Sequence, residues 1–313
     1  MKRVLVTGAA GHVGRTLMRQ AGIRDFDVLA CDVAPIEALP EQISFTHMDV
    51  RDRDAVLRIF EEYRPDVVIH LASIVTPPKG ADPGFAYDVD VNGTKNVVEA
   101  CLRRKTGRLV VTSSGAAYGY HPENASPRTE DCPLRGNPEF PYSHHKRLVE
   151  EMLADTRDQH PELEQVILRV GTVLGNGIEN QITALFHKPR LLGIMNCESP
   201  FVFIWADDLA RILLRASDKG RPGIYNTAGD GALGVTEIAA ILGKPVIRFP
   251  AWVLKTALAI ASPLGLSRYG PEQVRFLQYR PVLDNTRLKN DFGFTPDKTS
   301  LEAFQAWRKQ AGL

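Results

Sequence analysis

The chain has 313 residues, of which 44% are hydrophobic and 24% are charged, and its formal net charge is +1. A chain of this size can bury one large domain or two closely joined ones. Its near-neutral charge gives no reason to expect nucleic acid or an anionic membrane as a partner, and no apolar run reaches the ~18 residues that a membrane-spanning helix needs.

The cysteines and the start of the chain bear on its location. Four cysteines lie far apart without a CxxC pair, which is typical of reduced thiols rather than of a disulfide framework or a zinc site. The first predicted strand begins at residue 2, which leaves no room for a signal peptide. We therefore expect a cytoplasmic protein with no membrane partner.

The first predicted strand leads directly into a glycine-rich turn and then into a helix. Glycine lets such a turn tighten and lets the backbone approach a pyrophosphate closely, while the helix N-terminus offers free N–H groups to the anion. The order strand, turn, helix therefore predicts a dinucleotide site. The residues expected to contact the dinucleotide in this turn are Gly8, Gly11, His12, Val13 and Gly14.

Asp32 ends the second apolar run, which begins at Phe26. A carboxylate at the tip of the second strand can accept hydrogen bonds from both hydroxyls of the adenosine ribose and would repel a 2′-phosphate. We therefore predict NAD rather than NADP as the cofactor. Arg15 could in principle meet a 2′-phosphate, but a solvated arginine in the first helical turn is the favoured interpretation.

Strand and helix patterns alternate through the first half of the chain. Such alternation predicts an α/β fold, with a doubly wound parallel sheet of Rossmann type and right-handed crossovers. Strands are predicted near 2–7, 26–31, 43–48, 66–71, 107–113 and 164–170, and helices near 12–21, 52–63, 84–105 and 142–159.

Beyond residue 172 glycine, proline and shorter helical patterns replace the regular alternation. A strand is predicted at 201–205, followed by a helix with Asp207 or Asp208 as its N-cap. The later helical patterns lie at 235–242, 251–262, 271–278 and 299–310. We expect a NAD-binding domain at 1–172, to which 201–228 returns, and a smaller, mainly helical C-terminal substrate-binding lobe formed by 173–200 and 229–313.

Tyr142 and Lys146 lie four residues apart in a predicted helix and therefore share one face, which brings the ammonium near the phenol. A nearby ammonium, and the positive nicotinamide of an oxidised cofactor, favour the phenolate form of a tyrosine. Tyr142 could then remove the proton from a substrate hydroxyl while hydride leaves the same carbon. Ser114, at the end of the fifth strand, could hold the substrate oxygen. We interpret these three residues as catalytic.

The glycine turn, the Ser114 loop, Tyr142-x-x-x-Lys146 and the segment Asn285-Thr-Arg-Leu-Lys together resemble the extended short-chain dehydrogenase/reductases. The resemblance is to their NAD-dependent epimerase/dehydratase group, which includes UDP-galactose 4-epimerase. It covers nearly the whole chain and is specific over the first 170 residues or so.

The resemblance implies further contacts and a partner. Lys146 would also hydrogen-bond the nicotinamide ribose, and the helices matching 84–105 and 142–159 would form the interface of a homodimer. The residues implied beside the adenine are Asp49 and Val50, and those implied on the nicotinamide side are Leu71, Ala72 and Ser73.

Some residues depart from the group's pattern. Its dehydratases usually carry Asp-Glu directly after the serine, whereas this chain has Gly115-Ala116, so a 4,6-dehydratase is disfavoured. Arg169 matches the arginine that ends the sixth strand, but Thr172 stands where UDP-sugar epimerases usually have asparagine. Phe201 stands where they usually have an arginine that holds the diphosphate, and an aromatic ring supplies no cation.

Two further positions leave alternatives open. Arg275 or Arg280 could supply the missing cation. Asp90 matches the group's helix asparagine and Asn92 lies nearby, so either could serve the proton relay through that position. The candidate substrate contacts are therefore Ser114, Thr172, Phe201, Arg275 and Arg280.

Three other patterns favour structural interpretations. His144 and His145 are adjacent, so they face different sides of a helix and cannot form an i,i+4 metal pair; we expect surface histidines and no metal site. Cys197 is expected to be a packed thiol. The apolar stretch 251–262 carries one charge, Lys255, and a core or pocket-lid helix is favoured over a membrane-surface patch.

The sequence thus predicts an enzyme, a NAD-dependent oxidoreductase that takes hydride from a secondary hydroxyl, with epimerisation of a sugar or nucleotide-sugar as its expected use. The alternative is an NAD(P)-dependent alcohol dehydrogenase or carbonyl reductase for a less polar substrate, which the apolar run 201–205 favours. A second alternative is a non-catalytic dinucleotide sensor, which the intact Ser114, Tyr142 and Lys146 disfavour.

Overall fold

The computed structural model of the chain describes residues 1–78, 80–264, 266–267 and 270–313. The strands among them are β1 (Lys2–Thr7), β2 (Phe26–Asp32), β3 (Ile43–His47), β4 (Val67–His70), β5 (Arg108–Ser114), β6 (Glu164–Val170), β7 (Thr172–Leu174), β8 (Leu191–Ile194), β9 (Phe203–Trp205), β10 (Gly223–Thr227) and β11 (Val246–Phe249).

The α-helices are α1 (His12–Met18), α2 (Arg53–Tyr63), α3 (Phe85–Tyr87), α4 (Gly93–Arg104), α5 (Pro141–Gln159), α6 (Gln181–Phe186), α7 (Ala206–Asp218), α8 (Val235–Leu242), α9 (Ala251–Ala261), α10 (Gln273–Gln278), α11 (Thr286–Asn290) and α12 (Ser300–Gln310). A π-helical turn at Asp88–Asn92 joins α3 to α4, and 3₁₀ turns occupy Ala21–Asp25, Gly115–Tyr118 and Pro122–Ala125.

A seven-stranded parallel sheet with the order β10-β6-β5-β4-β1-β2-β3 forms the centre of the fold. The strand order reverses at β1, whose neighbours are β2 and β4. In doubly wound sheets the ligand crevice opens at the carboxyl ends of the strands at such a reversal. The glycine turn after β1 and the loop after β4 both lie there. The predicted Rossmann-type fold is confirmed.

Alternate residues of the central strands pack into two cores, one on each face of the sheet. Val4 and Val6 of β1 contribute to the core that contains the apolar side of α7, whereas Leu5 contributes to the core beneath α2, α4 and α5. Successive strand residues point to opposite faces, which explains the division. Because both faces are covered, the central strands are nearly continuously apolar.

The second half of the chain both extends the sheet and builds a third core. Segment 201–228 supplies α7, which packs against α1, and β10, which pairs with β6. Two-stranded parallel sheets β7-β9 and β8-β11 lie outside the main sheet. The third core is rich in aromatic rings, with Phe186 and Phe304 in edge contact at 5.2 Å between ring centres.

The predicted N-cap of α7 is wrong. The helix begins at Ala206 with Trp205 as its N-cap, because β9 runs into it without a turn, so both aspartates are already helical. Asp207 accepts a hydrogen bond from the Trp205 indole (2.9 Å). The buried Asp208 accepts from the backbone N–H groups of Asp297 and Lys298 (3.0 and 3.2 Å), which holds the segment before α12 against the helix.

The stretch 251–262, predicted to be a core or pocket-lid helix, is helical over Ala251–Ala261 but is not a core helix. None of the residues of α9 is buried, and its Trp252 side chain is strongly exposed. Among the described residues α9 packs against the six-residue helix α10, which is too short to cover it. Within the described parts of the chain, no helix is long and apolar enough to span a membrane.

Candidate active site

The glycine turn after β1 has the shape of a pyrophosphate cradle. Gly8 has a positive φ of 69°, and a Cβ there would lie 2.5 Å from the backbone nitrogen of Ala72. A Cβ at Gly14 would lie 2.5 Å from the carbonyl oxygen of Ala9. Gly11 is the N-cap of α1 and has no side chain to occupy the first N–H groups of the helix. These groups stay available for a phosphate, as the NAD prediction requires.

Asp32 lies beside this turn, fixed by two backbone donors. Its carboxylate accepts hydrogen bonds from the N–H groups of Ala10 (2.9 Å) and Ala34 (3.0 Å). Arg15 donates its Nε hydrogen to the carbonyl of Ala10 (2.7 Å), so that side chain braces the same turn. The turn and the carboxylate are therefore held together, which is the arrangement that an adenosine ribose needs.

The two residues implied near the adenine, Asp49 and Val50, lie in the loop between β3 and α2. Arg51 holds Asp49 by two-pronged hydrogen bonding, with 2.6 Å between Nη2 and Oδ2, and these bonds lower the pKa of the carboxyl. The Arg51 guanidinium in turn stacks on the Phe85 ring at 4.8 Å. Val50 is buried against Gly93, where a Cβ would come within 2.6 Å of its side chain, so glycine permits the close approach of α4.

The loop after β4 is hydrogen-bonded to β1. The N–H groups of Leu71 and Ala72 donate to the carbonyl (3.1 Å) and hydroxyl (3.3 Å) oxygens of Thr7. Ser73 donates its hydroxyl to Asp90 (2.8 Å). The three residues implied on the nicotinamide side therefore form one ordered segment beside the glycine turn.

Tyr142 and Lys146 lie one turn apart at the start of α5. The buried Lys146 ammonium is 5.6 Å from the centre of the Tyr142 ring and donates to the carbonyl oxygen of Thr112 (3.0 Å). The half-buried Tyr142 has a hydroxyl without a hydrogen-bond partner among the described residues. The pair therefore combines an ammonium held by β5 with a phenol that is free to meet a substrate.

Ser114 ends β5 and is joined to α5 through its neighbours. Its Oγ accepts a hydrogen bond from the N–H of Ala116 (3.1 Å) and keeps its own proton to donate. Ser143, next to Tyr142, donates to the carbonyl of Ala116 (2.6 Å). This bond places the first turn of α5 against the Ser114 loop, so the structure brings the three predicted catalytic residues to one edge of the sheet.

The prediction of a surface location for the histidine pair is wrong for His145. Its side chain is buried, and its Nδ1 lies 3.0 Å from Oδ2 of Asp90, where it donates a hydrogen bond to the carboxylate. The π-helical turn holds Asp90 buried and within reach of α5, which the adjacent positions of the two histidines could not reveal. Asn92 instead donates to Asp88 (2.7 Å), so Asp90 alone of the two relay candidates lies inside.

Asp90 connects the cofactor-side loop to the catalytic helix. Besides His145, it accepts from the Ser73 hydroxyl and the Ile74 N–H, both at 2.8 Å. Burial acts to raise the pKa of Asp90, but the His145 hydrogen bond, the Lys146 charge and these two donors outweigh it and hold that pKa below its usual value. The negative charge of the Asp90 carboxylate therefore lies close enough to interact with the Lys146 ammonium.

Two buried polar features near the site were not predicted from the sequence, namely the role of His70 and the ion-pair partner of Arg169. His70 at the end of β4 bridges the hydroxyls of Thr7 (2.7 Å) and Thr94 (2.9 Å), and burial, with the Lys146 charge, lowers its pKa to about 3, so the ring is neutral. Arg169 forms a buried ion pair with Glu150 (2.7 Å). Glu150 lies one turn beyond Lys146 on α5, a spacing that could have suggested an inward-facing carboxylate.

The candidate substrate contacts divide into buried and exposed ones. Phe201 is buried in the third core, and the Arg280 guanidinium stacks on its ring at 3.6 Å. Arg280 donates to the carbonyl of Ser199 (3.0 Å) and forms no ion pair with any described residue. Burial lowers its pKa to about 9. Arg275 instead lies at the surface, paired with Glu139 (3.0 Å).

Thr172 begins β7 directly after the sixth strand of the main sheet. Its N–H donates to the carbonyl of Val202 (3.0 Å), and its side chain is half-buried. Thr172 therefore lies on β7 and Phe201 lies two residues before its partner strand β9, whereas Arg275 is on α10.

Known proteins share both the sequence pattern and the fold. The model of the NAD dependent epimerase/dehydratase family matches residues 4–228. A UDP-glucose 4-epimerase of Oryza sativa subsp. japonica is 32% identical over 189 residues, which cover 56% of this chain and 45% of that protein. An uncharacterized protein of Mycobacterium tuberculosis is 24% identical over 322 residues, covering 100% of this chain and 85% of that protein.

Among solved structures, the UDP-glucose 4-epimerase of Thermus thermophilus in complex with NAD has a TM-score of 0.75 at 25% identity, and the likeness covers 98% of each chain. A dTDP-glucose 4,6-dehydratase of Bacillus anthracis has the same fold, with a TM-score of 0.75 at 18% identity over 100% of this chain and 97% of that one. Because the family match spans more than two thirds of the sequence and includes the glycine turn, Ser114, Tyr142 and Lys146, the chain belongs to the NAD dependent epimerase/dehydratase family, with NAD as its cofactor.

Proposed function

We propose that this enzyme transfers hydride between NAD and a carbon that bears a secondary hydroxyl group. The observation that carries the proposal is the buried Lys146 ammonium 5.6 Å from the ring centre of Tyr142, whose hydroxyl has no partner among the described residues. Bound NAD supplies the hydride acceptor. Tyr142 takes the hydroxyl proton, Ser114 orients the substrate oxygen, and the Lys146 ammonium places a positive charge beside the Tyr142 ring.

Epimerisation of a sugar or nucleotide-sugar is the use that we propose first. In that reaction the keto intermediate rotates in the site and hydride returns to the opposite face of its carbonyl carbon. Tyr142 and Ser114 hold the carbonyl oxygen during this step. The likeness to UDP-glucose 4-epimerases supports this use. A buried guanidinium at Arg280, without a carboxylate partner among the described residues, is also suited to a substrate phosphate.

A specific observation favours a second candidate, an NAD(P)-dependent alcohol dehydrogenase or carbonyl reductase for a less polar substrate. Phe201 replaces the diphosphate-binding arginine and packs in the aromatic core, 5.5 Å from the Phe186 ring centre. Arg280 already directs hydrogen-bond donors to the Ser199 carbonyl. In this reaction the ketone is released and the cofactor must exchange.

One panel of substrates separates the two candidates. UDP-sugars and apolar secondary alcohols are each incubated with enzyme and NAD, and both epimer formation and absorbance of the reduced cofactor are followed. An epimerase forms epimer without net reduction and can retain NAD through gel filtration. A dehydrogenase accumulates reduced cofactor and releases it. Absence of both products across the panel would argue against the hydride-transfer proposal itself.

Replacing Asp32 by alanine should weaken NAD binding and narrow the preference for NAD over NADP. The carboxylate is placed to accept from ribose hydroxyls and to repel a 2′-phosphate, so its loss should cost about tenfold or more in NAD affinity. Fluorescence titration with each cofactor measures both dissociation constants. Asp27→Ala, at the exposed start of the same strand, is the matched control. An unchanged preference for NAD over NADP would mean that another residue contacts the ribose and discriminates between the two cofactors.

We also propose a homodimer through the helices that span 84–105 and 142–159. Tyr87 on the outer side of the first of these is 40% exposed, although it packs edge-on against His145 at 5.4 Å. Light scattering of the purified protein would measure the mass directly.

A further inference from the structure

Helix α9 turns an apolar face outward. Trp252 and Ile260 are spaced by two turns, with Thr256 between them, so the three lie on one stripe of the helix. Trp252 is 70% exposed and Ile260 is 60% exposed. Leu264 and Leu266 beyond the helix are 66% and 78% exposed. An exposed helical stripe is normally polar, whereas this one carries two large apolar side chains, Trp252 and Ile260.

The apolar exposure extends to the two strands that precede the helix. The N–H of Met195 donates to the carbonyl of Phe249 (3.0 Å), so the backbones of these two exposed residues are joined where β8 and β11 end. Leu192 on β8 is exposed as well. We name as the apolar surface the exposed residues Leu192, Met195, Phe249, Trp252, Ile260, Leu264 and Leu266. Isolated exposed apolar residues are ordinary, but seven of them gathered on or next to β8, β11 and α9 indicate a contact surface.

The charged residues of the two segments that carry most of the apolar surface have one sign. Segments 185–196 and 244–264 contain five lysines and arginines and no aspartate or glutamate. Lys188, Arg190 and Lys255 are exposed and form no ion pair with the described residues. Arg248 is the exception, since it pairs with Glu198 (2.6 Å). The net charge of +1 for the whole chain therefore conceals a local positive excess beside the apolar surface.

We propose that the apolar surface binds the face of an anionic lipid bilayer, with α9 lying in the interface. Apolar side chains enter the boundary between headgroups and acyl chains, tryptophan is favoured at that depth, and lysine and arginine reach the lipid phosphates. A second copy of the chain fits less well. In a two-fold symmetric contact the same unpaired cations would face one another. The apolar surface includes none of the proposed catalytic residues, so the inference does not depend on the proposed hydride transfer.

The protein carries its own reporter for this contact. Trp205 and Trp307 are buried, whereas Trp252 is exposed on α9. Full-length protein is mixed with vesicles of phosphatidylglycerol and phosphatidylcholine, or of phosphatidylcholine alone. We expect co-sedimentation and a blue shift of tryptophan emission with the anionic vesicles. Added salt should weaken this binding, and vesicles without the anionic lipid should bind with about tenfold or more lower affinity.

Two variants and a matched control make the test specific. Ile260→Glu keeps the reporter and should lower vesicle affinity about tenfold or more, while Leu301→Glu, at an exposed leucine of α12, should not change it. Lys255→Glu should weaken binding to anionic vesicles only. Circular dichroism verifies that each variant is folded. Failure of the wild type to bind anionic vesicles, or equal binding by Ile260→Glu, would overturn the proposal. A wild-type dimer that Ile260→Glu dissociates, without vesicle binding, would assign the surface to a second copy instead.

Discussion

Replacing Tyr142 by phenylalanine should lower kcat by about 100- to 10,000-fold, because the phenol is the group placed to carry the substrate proton. The change removes one oxygen and leaves the ring beside Lys146 in place. NAD affinity should therefore stay within a few fold of the wild type. Initial rates with the best substrate of the panel, together with a binding titration for NAD, measure the two quantities separately.

A matched control shows whether loss of any tyrosine hydroxyl has this effect. Tyr63→Phe removes a hydroxyl that donates to the carbonyl of Asp27 (2.6 Å), away from the site. It should leave kcat unchanged. Full activity of Tyr142→Phe would remove Tyr142 from the mechanism, whereas equal loss in both variants would point to a general effect on folding.

The Glu150→Gln substitution should destabilise the fold by about 3 kcal/mol or more, because it leaves the buried Arg169 guanidinium without its counter-charge. Side-chain exposure is 5% for Arg169 and 2% for Glu150. Arg169 would keep its hydrogen bonds to the Tyr118 hydroxyl (2.8 Å) and the Glu130 carbonyl (2.9 Å), neither of which carries a compensating negative charge. Urea unfolding followed by circular dichroism measures the free energy of unfolding.

The neighbouring residue provides the control for this loss. Glu151 pairs with Arg147 at 3.2 Å, but its side chain is 52% exposed. Exposed pairs contribute about 0–1 kcal/mol, so Glu151→Gln should be nearly neutral. If the two variants lost equal stability, burial of the Glu150–Arg169 pair would have no special role, and the change on α5 itself would be responsible.

The residues that the sequence analysis placed correctly are those whose relation is local. Gly8, Gly11 and Gly14 follow a strand and precede a helix, and the structure has that strand and helix within a few residues of the predicted positions. Tyr142 and Lys146 share a face because four residues make about one helical turn. Helix α9 was also predicted at nearly its observed position. The periodicity of an element is set by its own backbone, so a linear sequence is sufficient to show it.

The errors concern groups whose neighbours lie far away in the chain. The sequence pattern predicts a surface position for His145, yet this residue bonds Asp90, 55 residues earlier. Whether Arg275 or Arg280 lies near Phe201 was left open by the sequence, and only the structure places the Arg280 guanidinium on that ring. Neither pair has a spacing that a pattern could reveal. Each depends on which elements the sheet order places side by side.

The glycine turn, the Tyr–Lys spacing and the alternation of strands and helices were sufficient to identify the family and the cofactor, because each is a short-range feature of one or two elements. The Asp90–His145 bridge and the Arg280–Phe201 stack exist only once distant segments pack together. The outward apolar face of α9 follows the same principle. Composition makes the helix apolar, but its burial depends on whether other segments cover it. The described residues leave Trp252 and Ile260 exposed.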